Sequence, residues 1–528
     1  MVPTVKAVEH AATQNKNMLT PLFTPAENPP FNMARYCLAG GSSATPHKPA
    51  LIVIGEVGAP PLEVWSYADL EDAVLRTAGA LRKAGLVEGD RVMIRLDNTS
   101  AYAILFFGAI AAGLVALPAS SQLTEREALF LLEDSGAAAI ACANPLPAYG
   151  LPKAPLVFSP DDVARMMREG PRIDYAATRA ENPAFLIYTS GTTANPKGVL
   201  HAQRAALGRR PMYQGWYGIG ATDRVLHAGA FNWTFTLGVG LTDPWANGAT
   251  ALIFTGEKEP ALWPRLIDAT EATLFAGVPG LFRQILKYAD LTPASMPTLR
   301  HALMAGEAPP PGLFEDWTSR TGKPLYEALG MSEISTYIST GPHVPRKPGT
   351  VGKAQAGRRV AILPADGGDT PLPPNTEGLI AVHRSDPGLM LGYWNRPDEQ
   401  IDVCRGEWFT GGDLGLMDEA GYIAHLGRNN DIMKALGYRV SPMEVEAVLA
   451  THPDVAEVAC AEVAVRADVH VVGAFIVLKP GAKTDSADLL AFAAERLAAY
   501  KCPREIRFLD ALPRTPNGKV KRSALAGL

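Results

Sequence analysis

Short apolar runs alternate with stretches of helical periodicity over roughly the first four hundred residues. Leu70, Val74, Ala78 and Leu81 recur on one helical face, with Ser66 placed as an N-cap and Gly85 as a stop, which predicts a helix between them. Arg91–Leu96 follows as a strand, and Ala184–Tyr188, Thr250–Phe254, Ala272–Ala276 and Arg300–Met304 have the same apolar character. Helical patterns lie between several of these runs; Gly280–Tyr288 is one, with Arg283 and Lys287 directed outward. Alternation of this kind predicts parallel sheets wrapped by helices, with ligands held in loops at the carboxyl ends of strands.

The pattern changes near Gly427–Asp431. Before it, Glu407–Asp413 and Gly421–Leu426 read as short strands joined by tight turns. After it comes a self-contained unit. Pro442–Ala450 and Ser486–Ala499 read as helices, and Val455–Val463, Val469–Leu478 and Ile506–Leu509 as strands. The expected division is 1–427, a junction at 428–431, and 432–528. Pro364–Pro374 reads as a surface loop of the large unit. Ala101–Ser120 is apolar enough to be weighed as a membrane span, but Gly108, Gly113 and Pro118 favour a buried helix running into a strand.

Composition narrows the classes. The chain has 528 residues, a formal net charge of −5 and no long run of one sign, so it lacks the basic field of a nucleic-acid binder. Cys37, Cys142, Cys404, Cys460 and Cys502 are scattered and form no C-x-x-C pair, which argues against a disulfide framework or zinc knuckle. With no secretory leader pattern at the N-terminus, a cytoplasmic protein is expected.

The chemistry concentrates in Tyr188-Thr-Ser-Gly-Thr-Thr-Ala-Asn-Pro-Lys-Gly-Val199, which follows a predicted strand. Thr189, Ser190, Thr192, Thr193, Gly191, Gly198 and Lys197 fall within ten residues. Glycines admit close backbone approach, hydroxyls donate to phosphate oxygens and a lysine adds charge, so the loop suits a polyphosphate. It is not a Walker A loop, because Lys197 precedes Gly198 and Pro196 stands where the second glycine is required.

This segment resembles the signature loop of the adenylate-forming enzymes, the superfamily of acyl-CoA synthetases, peptide-synthetase adenylation domains and luciferases. Further motifs stand in that family's order. Ala305-Gly-Glu-Ala308 resembles the adenosine-side loop, and Tyr326-Glu-Ala-Leu-Gly-Met-Ser-Glu333 the segment ending in a magnesium-linked glutamate. Gly411-Gly-Asp413 resembles the ribose-binding motif. Gly427-Arg-Asn-Asn-Asp-Ile-Met-Lys434 with Gly437-Tyr-Arg439 resembles the hinge, and Pro513-Arg-Thr-Pro-Asn-Gly-Lys519 the catalytic-lysine motif. The resemblance spans residues 30–528. It implies an α/β fold: a large N-terminal domain of helix-wrapped mixed sheets plus a small barrel-like subdomain, and a small mobile α+β C-terminal domain.

The resemblance also implies roles. ATP or AMP would be bound by Thr189, Ser190, Gly191, Thr192, Thr193, Lys197, Gly306, Glu307, Ala308, Glu327, Leu329, Ser332, Asp413 and Arg428. Glu333 would hold Mg²⁺, and Lys519, Glu333 and Thr189 would be catalytic. Each has a plainer alternative. Glu333 alone would be a helix-start carboxylate, Asp413 a turn residue, Arg428 a domain-edge ion pair and Lys519 a hairpin-turn lysine. Gly437 and Arg439 would line the coenzyme A tunnel after rotation about Asn430. Asn430 stands where the family has Asp or Lys, and Leu329 where many members place an aromatic against adenine.

The acid pocket is expected at Phe231, Asn232, Trp233, Gly277, Gly330 and Met331. Gly330 stands where acetate-specific relatives carry a pocket-truncating tryptophan, so a deeper pocket and an acid larger than acetate are expected. Phe231, Trp233 and Phe235 would form an aromatic wall or, equally, belong to the core. Pro30–Leu38 and the pocket segments resemble benzoate-type and medium-chain acyl-CoA synthetases. The expected reaction is acid plus ATP giving acyl-adenylate and pyrophosphate, then thioester formation with coenzyme A, on an aryl or short/medium-chain acid. The alternatives are adenylation for a carrier-protein thiol, a luciferase-type oxygenase and a silent adenylate-binding protein. A monomer or homodimer is expected, and Pro513–Lys519 fits the pattern of lysine acetylases, which would act on Lys519.

Overall fold

The structure is a computed structural model that describes residues 29–144, 146, 154–189, 196–310, 312–429, 433–435, 438–466, 469–514 and 520–525. Two large sheets stack with helices between and outside them. One has seven strands, in the order 392–393, 197–202, 183–189, 115–118, 91–95, 139–142 and 156–158. The other has nine, in the order 353–354, 335–339, 325–331, 301–305, 274–277, 224–227, 250–254, 49–54 and 63–66. The central pairings of both are parallel; antiparallel strands close both edges of the nine-stranded sheet and one edge of the seven-stranded sheet, whose other edge strand, 156–158, is parallel. This is the arrangement predicted by alternating strands and helices.

Helices Met33–Ala44, Tyr67–Lys83 and Ser100–Ala111 fill the space between the sheets, and one apolar cluster draws on all three and on strands of both sheets. Ser66 caps the second of these helices by accepting from the Asp69 amide, a bond typically worth about 1 kcal/mol. Gly85 follows its end in the left-handed region at φ +95°. The segment weighed as a membrane span is the third helix plus strand Val115–Pro118. It is buried almost throughout because the helix lies between the two sheets and the strand is an interior member of the seven-stranded one. No helix among the described residues is long and apolar enough to cross a membrane. Helices Trp263–Ala269, Pro279–Tyr288 and Leu313–Thr321 cover the far face of the nine-stranded sheet, and Glu125–Ser135 that of the seven-stranded sheet.

An antiparallel sheet of strands 360–363, 378–383, 408–417, 404–405 and 423–428 forms the smaller subdomain. Beyond it, Val455–Arg466, Val469–Leu478 and Glu505–Phe508 form a three-stranded sheet covered by helices Pro442–Leu449 and Ser486–Ala494, with a core of its own. The second helix is five residues shorter than its apolar pattern predicts. Beyond Ala494 the periodicity continues, but the chain turns toward the edge strand at Glu505.

Candidate active site

The carboxyl ends of four adjacent parallel strands, Arg224–His227, Leu274–Gly277, His301–Ala305 and Leu325–Met331, feed the loops that carry most of the candidate residues. Gly306 follows the third strand at φ +106°, a conformation that favours glycine. A Cβ there would stand 3.6 Å from the Trp233 ring and from Val278, so Trp233, Gly306 and the start of helix Pro279–Tyr288 form one wall. Glu307 accepts from the Gly280 amide at 3.1 Å and ties the loop after the third strand to that helix. Ala308 is exposed beside them.

The fourth strand leads to Glu333. Tyr393 donates its hydroxyl to Glu333 Oε1 at 2.7 Å, and the Met390 amide donates to the Glu333 carbonyl at 2.7 Å. Burial, and after it the Glu333 charge, raise the Tyr393 phenol well above its usual range, so it remains a donor. The loop carrying Tyr393 is fixed from below. Buried Arg204 donates to the carbonyls of Pro387 and Leu389, and buried Arg358 pairs with Asp386. His201 Nε2 donates to the Ser332 carbonyl at 2.8 Å. Burial pushes this imidazole down to about 4, so it is neutral at pH 7.

Thr189 ends strand Pro183–Thr189 and pairs with Lys197 across the hairpin, which brings both ends of the signature loop together. The Lys197 ammonium lies 5.6 Å from the centre of the Tyr393 ring and forms an ion pair with Glu399. On the other side of Glu333, Met331 packs against Gly411. Asp413 is 5% exposed; its Oδ1 meets His425 Nε2 at 3.0 Å and Arg428 Nε at 3.3 Å. Arg428 also donates to the Gly411 carbonyl. The site is therefore one continuous line from Lys197 through Tyr393, Glu333 and Met331 to Asp413 and Arg428.

Other expected residues are packed into their surroundings. Glu327 is buried within its strand, where burial pushes its carboxyl up to about 7. Leu329 is half-buried against the antiparallel sheet. Phe231 and Phe235 are 3% and 7% exposed and join core clusters, so the aromatic wall is reduced to half-buried Trp233, with half-buried Asn232 beside it. Gly277 abuts Leu281 and Phe282. Gly330 is packed closely against the strand that follows it. A Cβ there would lie 2.6 Å from the Ser335 carbonyl oxygen, because strand Ser335–Ser339 folds back on it. Ser190, Gly191, Thr192, Thr193, Asn430, Gly437 and Lys519 lie outside the described residues. Arg439 belongs to a two-stranded ribbon, opposite Lys434.

Tyr393, His425, Glu399 and His201 were not selected from the sequence. Each reaches its partner across 12 to 202 positions or stands outside any motif, so only tertiary contact identifies it. The tight strand pairing that joins Asp413 to Arg428 was the one available signal for His425, which stands three residues before Arg428.

Comparison with known proteins identifies the family. Residues 41–394 match the family model of the AMP-binding enzymes, and residues 444–519 that of the AMP-binding enzyme C-terminal domain. The chain is 32% identical over 481 residues to benzoate–CoA ligase of Thauera aromatica, covering 87% of this chain and 90% of the relative. It is 30% identical over 482 residues to 3-hydroxybenzoate–CoA ligase of Aromatoleum sp. (strain CIB), covering 88% and 91%. The crystal structure of a benzoate CoA ligase from Burkholderia xenovorans LB400 superposes with a TM-score of 0.83 at 28% identity, covering 94% of this chain and all of that one. The chain belongs to the AMP-binding enzyme family, the adenylate-forming enzymes, and within it to the acid–thiol ligases that make acyl-CoA thioesters.

Proposed function

We propose that the substrate is an aryl acid with no charged group besides its reacting carboxylate, activated as its acyl-adenylate and then transferred to coenzyme A. The observation that carries this reading is the wall made by Trp233, Val278 and Gly306, an apolar surface with an indole ring next to the loop expected to hold the adenosine. An aryl ring can lie against such a surface, and no charged side chain of the pocket segments waits for a second carboxylate or an amine. The similarity to two benzoate-type ligases supports the same class.

In this reading the acid's carboxylate attacks the α-phosphorus of ATP, and pyrophosphate leaves. Both reactants are anionic, so the site must cancel charge and hold them in line. Lys197 and the loop after Thr189 bind the β- and γ-phosphates, which requires Lys197 to exchange Glu399 for phosphate oxygens. Asp413 accepts from the ribose hydroxyls, while His425 and Arg428 hold its carboxylate in place. Glu333 is the residue that would hold Mg²⁺. One half-buried carboxylate, already oriented by Tyr393, suits an ion that keeps most of its shell from phosphate and water. Among the described residues no group of three or more His, Cys, Asp or Glu side chains could hold a metal without such help. When bound, the ion neutralises phosphate charge. Lys519 bridges the acid and the α-phosphate as charge develops. Rotation of residues 432–528 about 428–431 then withdraws Lys519 and brings Gly437 and Arg439 to the thiol. The thiolate displaces AMP from the acyl carbon.

The test is pyrophosphate and AMP release from Mg·ATP over benzoates, hydroxybenzoates and C2–C10 fatty acids, with and without coenzyme A. AMP release that needs coenzyme A and is fastest with a benzoate is expected. Fastest turnover with an aliphatic acid would overturn the aryl assignment, and pyrophosphate release indifferent to coenzyme A would overturn the acceptor.

A further inference from the structure

Arg283 is directed outward on its helix, as its periodicity predicts, and its guanidinium is engaged although the side chain is 43% exposed. It donates to Glu457 Oε1 of strand Val455–Arg466 at 2.6 Å, while Arg514 donates to Glu457 Oε2 at 2.8 Å. Glu457 is 22% exposed. Partial burial alone would raise its carboxyl, yet the hydrogen bonds from Arg283 and Arg514 hold it below the usual carboxylate range. An exposed single ion pair contributes little, whereas a carboxylate shared by two guanidinium groups makes charge-assisted bonds of defined geometry.

Both ends of this triad matter to the site. Arg283 stands one turn beyond Gly280, whose amide is held by Glu307, and Val278 before it faces Trp233 and Gly306. Arg514 pairs by its backbone with Val520, and the Lys521 amide donates to the Pro513 carbonyl at 2.8 Å. These residues flank Lys519. One carboxylate therefore joins the chain on either side of Lys519 to the helix that walls the acid pocket.

We propose that Glu457 is a positioning residue for acyl-adenylate formation, acting as a clasp between Arg283 of the large domain and Arg514 beside Lys519. It rests on the activity proposed above. The clasp holds the small domain in the orientation of the first step and opens for thioester formation, which does not use it.

The experiment compares wild type, Glu457→Gln, Arg283→Gln and the double variant. Acyl-adenylate formation is followed as pyrophosphate release without coenzyme A, and thioester formation from synthetic benzoyl-adenylate with coenzyme A. Either single variant is expected to slow the first step about tenfold through kcat, with KM for ATP and the second step changed less than about twofold. The double variant is expected to match the singles, since both remove one interaction. In a Lys519→Ala background, Glu457→Gln is expected to leave residual pyrophosphate release unchanged. Equal loss in both steps, multiplicative effects in the double variant or a further tenfold loss without Lys519 would overturn the proposal. Wild type that releases no pyrophosphate with any acid would instead overturn the proposed activity. Amide exchange in peptides covering 509–525 then decides the clasp: faster exchange in Glu457→Gln supports it, and unchanged exchange refutes it.

Discussion

Gly330→Ala separates two roles for a position that looks like the floor of a pocket. The new Cβ would lie 2.6 Å from Ser335 O and 2.8 Å from Thr336 Cα. Both are backbone atoms of the paired strand, and Gly330 is in register with Thr336 next to an irregularity in the ladder, so no flexible side chain can give way. Overpacking of this kind costs about 1–3 kcal/mol. The thermal midpoint should fall by roughly 2–6 °C. The same hairpin carries Glu333 at its turn, so kcat should fall for every acid alike. Steady-state kinetics with acetate, butyrate and benzoate would show kcat/KM ratios unchanged within about twofold. An unchanged midpoint together with a tenfold shift of preference toward acetate would refute the packing argument and show that this Cα opens onto the acid.

Tyr393→Phe removes the hydroxyl bond that orients Glu333, so kcat/KM for Mg·ATP should drop roughly 10- to 100-fold, and because a bond to a charged group is worth about 1.5–3 kcal/mol the thermal midpoint should fall as well. An unaltered dependence on Mg²⁺ would dissociate Tyr393 from Glu333. Trp233→Ala should relax the aryl preference toward bulkier acids, checked by kcat/KM for benzoate against naphthoate; an identical profile would return the indole to the core. Burial lowers His201, His227 and His301 to about 4, 3 and 4, so these groups are neutral in the folded protein where the unfolded chain binds protons. Stability should therefore fall as pH drops from 6.5 toward 4, each group contributing up to about 1.4 kcal/mol per unit. Urea midpoints at pH 7.5 and 5.5 would show a smaller drop for His227→Gln than for wild type.

The alternation of strands and helices was legible because burial against sheets imposes periodicity on every element. Ser66, Thr250–Phe254 and Val469–Leu478 stand where the pattern puts them. The helix after Ser486 was overextended because apolar spacing continues past the point where the chain must turn to Glu505. In the site, motif residues such as Asp413 and Glu333 could be read from local sequence. Their partners could not, since Tyr393 reaches Glu333 across 60 residues and Arg283 reaches Glu457 across 174. Phe231 and Phe235 show the converse: aromatic spacing left pocket wall and core equally open, and burial places both rings in core clusters.

The route through an acyl-adenylate is tested most directly with benzoate labelled with ¹⁸O in its carboxylate. Attack of that oxygen on the α-phosphorus leaves one labelled oxygen in AMP after coenzyme A takes the acyl group. Mass spectrometry of AMP carrying one ¹⁸O per turnover is the result predicted. Unlabelled AMP, or label found in pyrophosphate or inorganic phosphate, would contradict it.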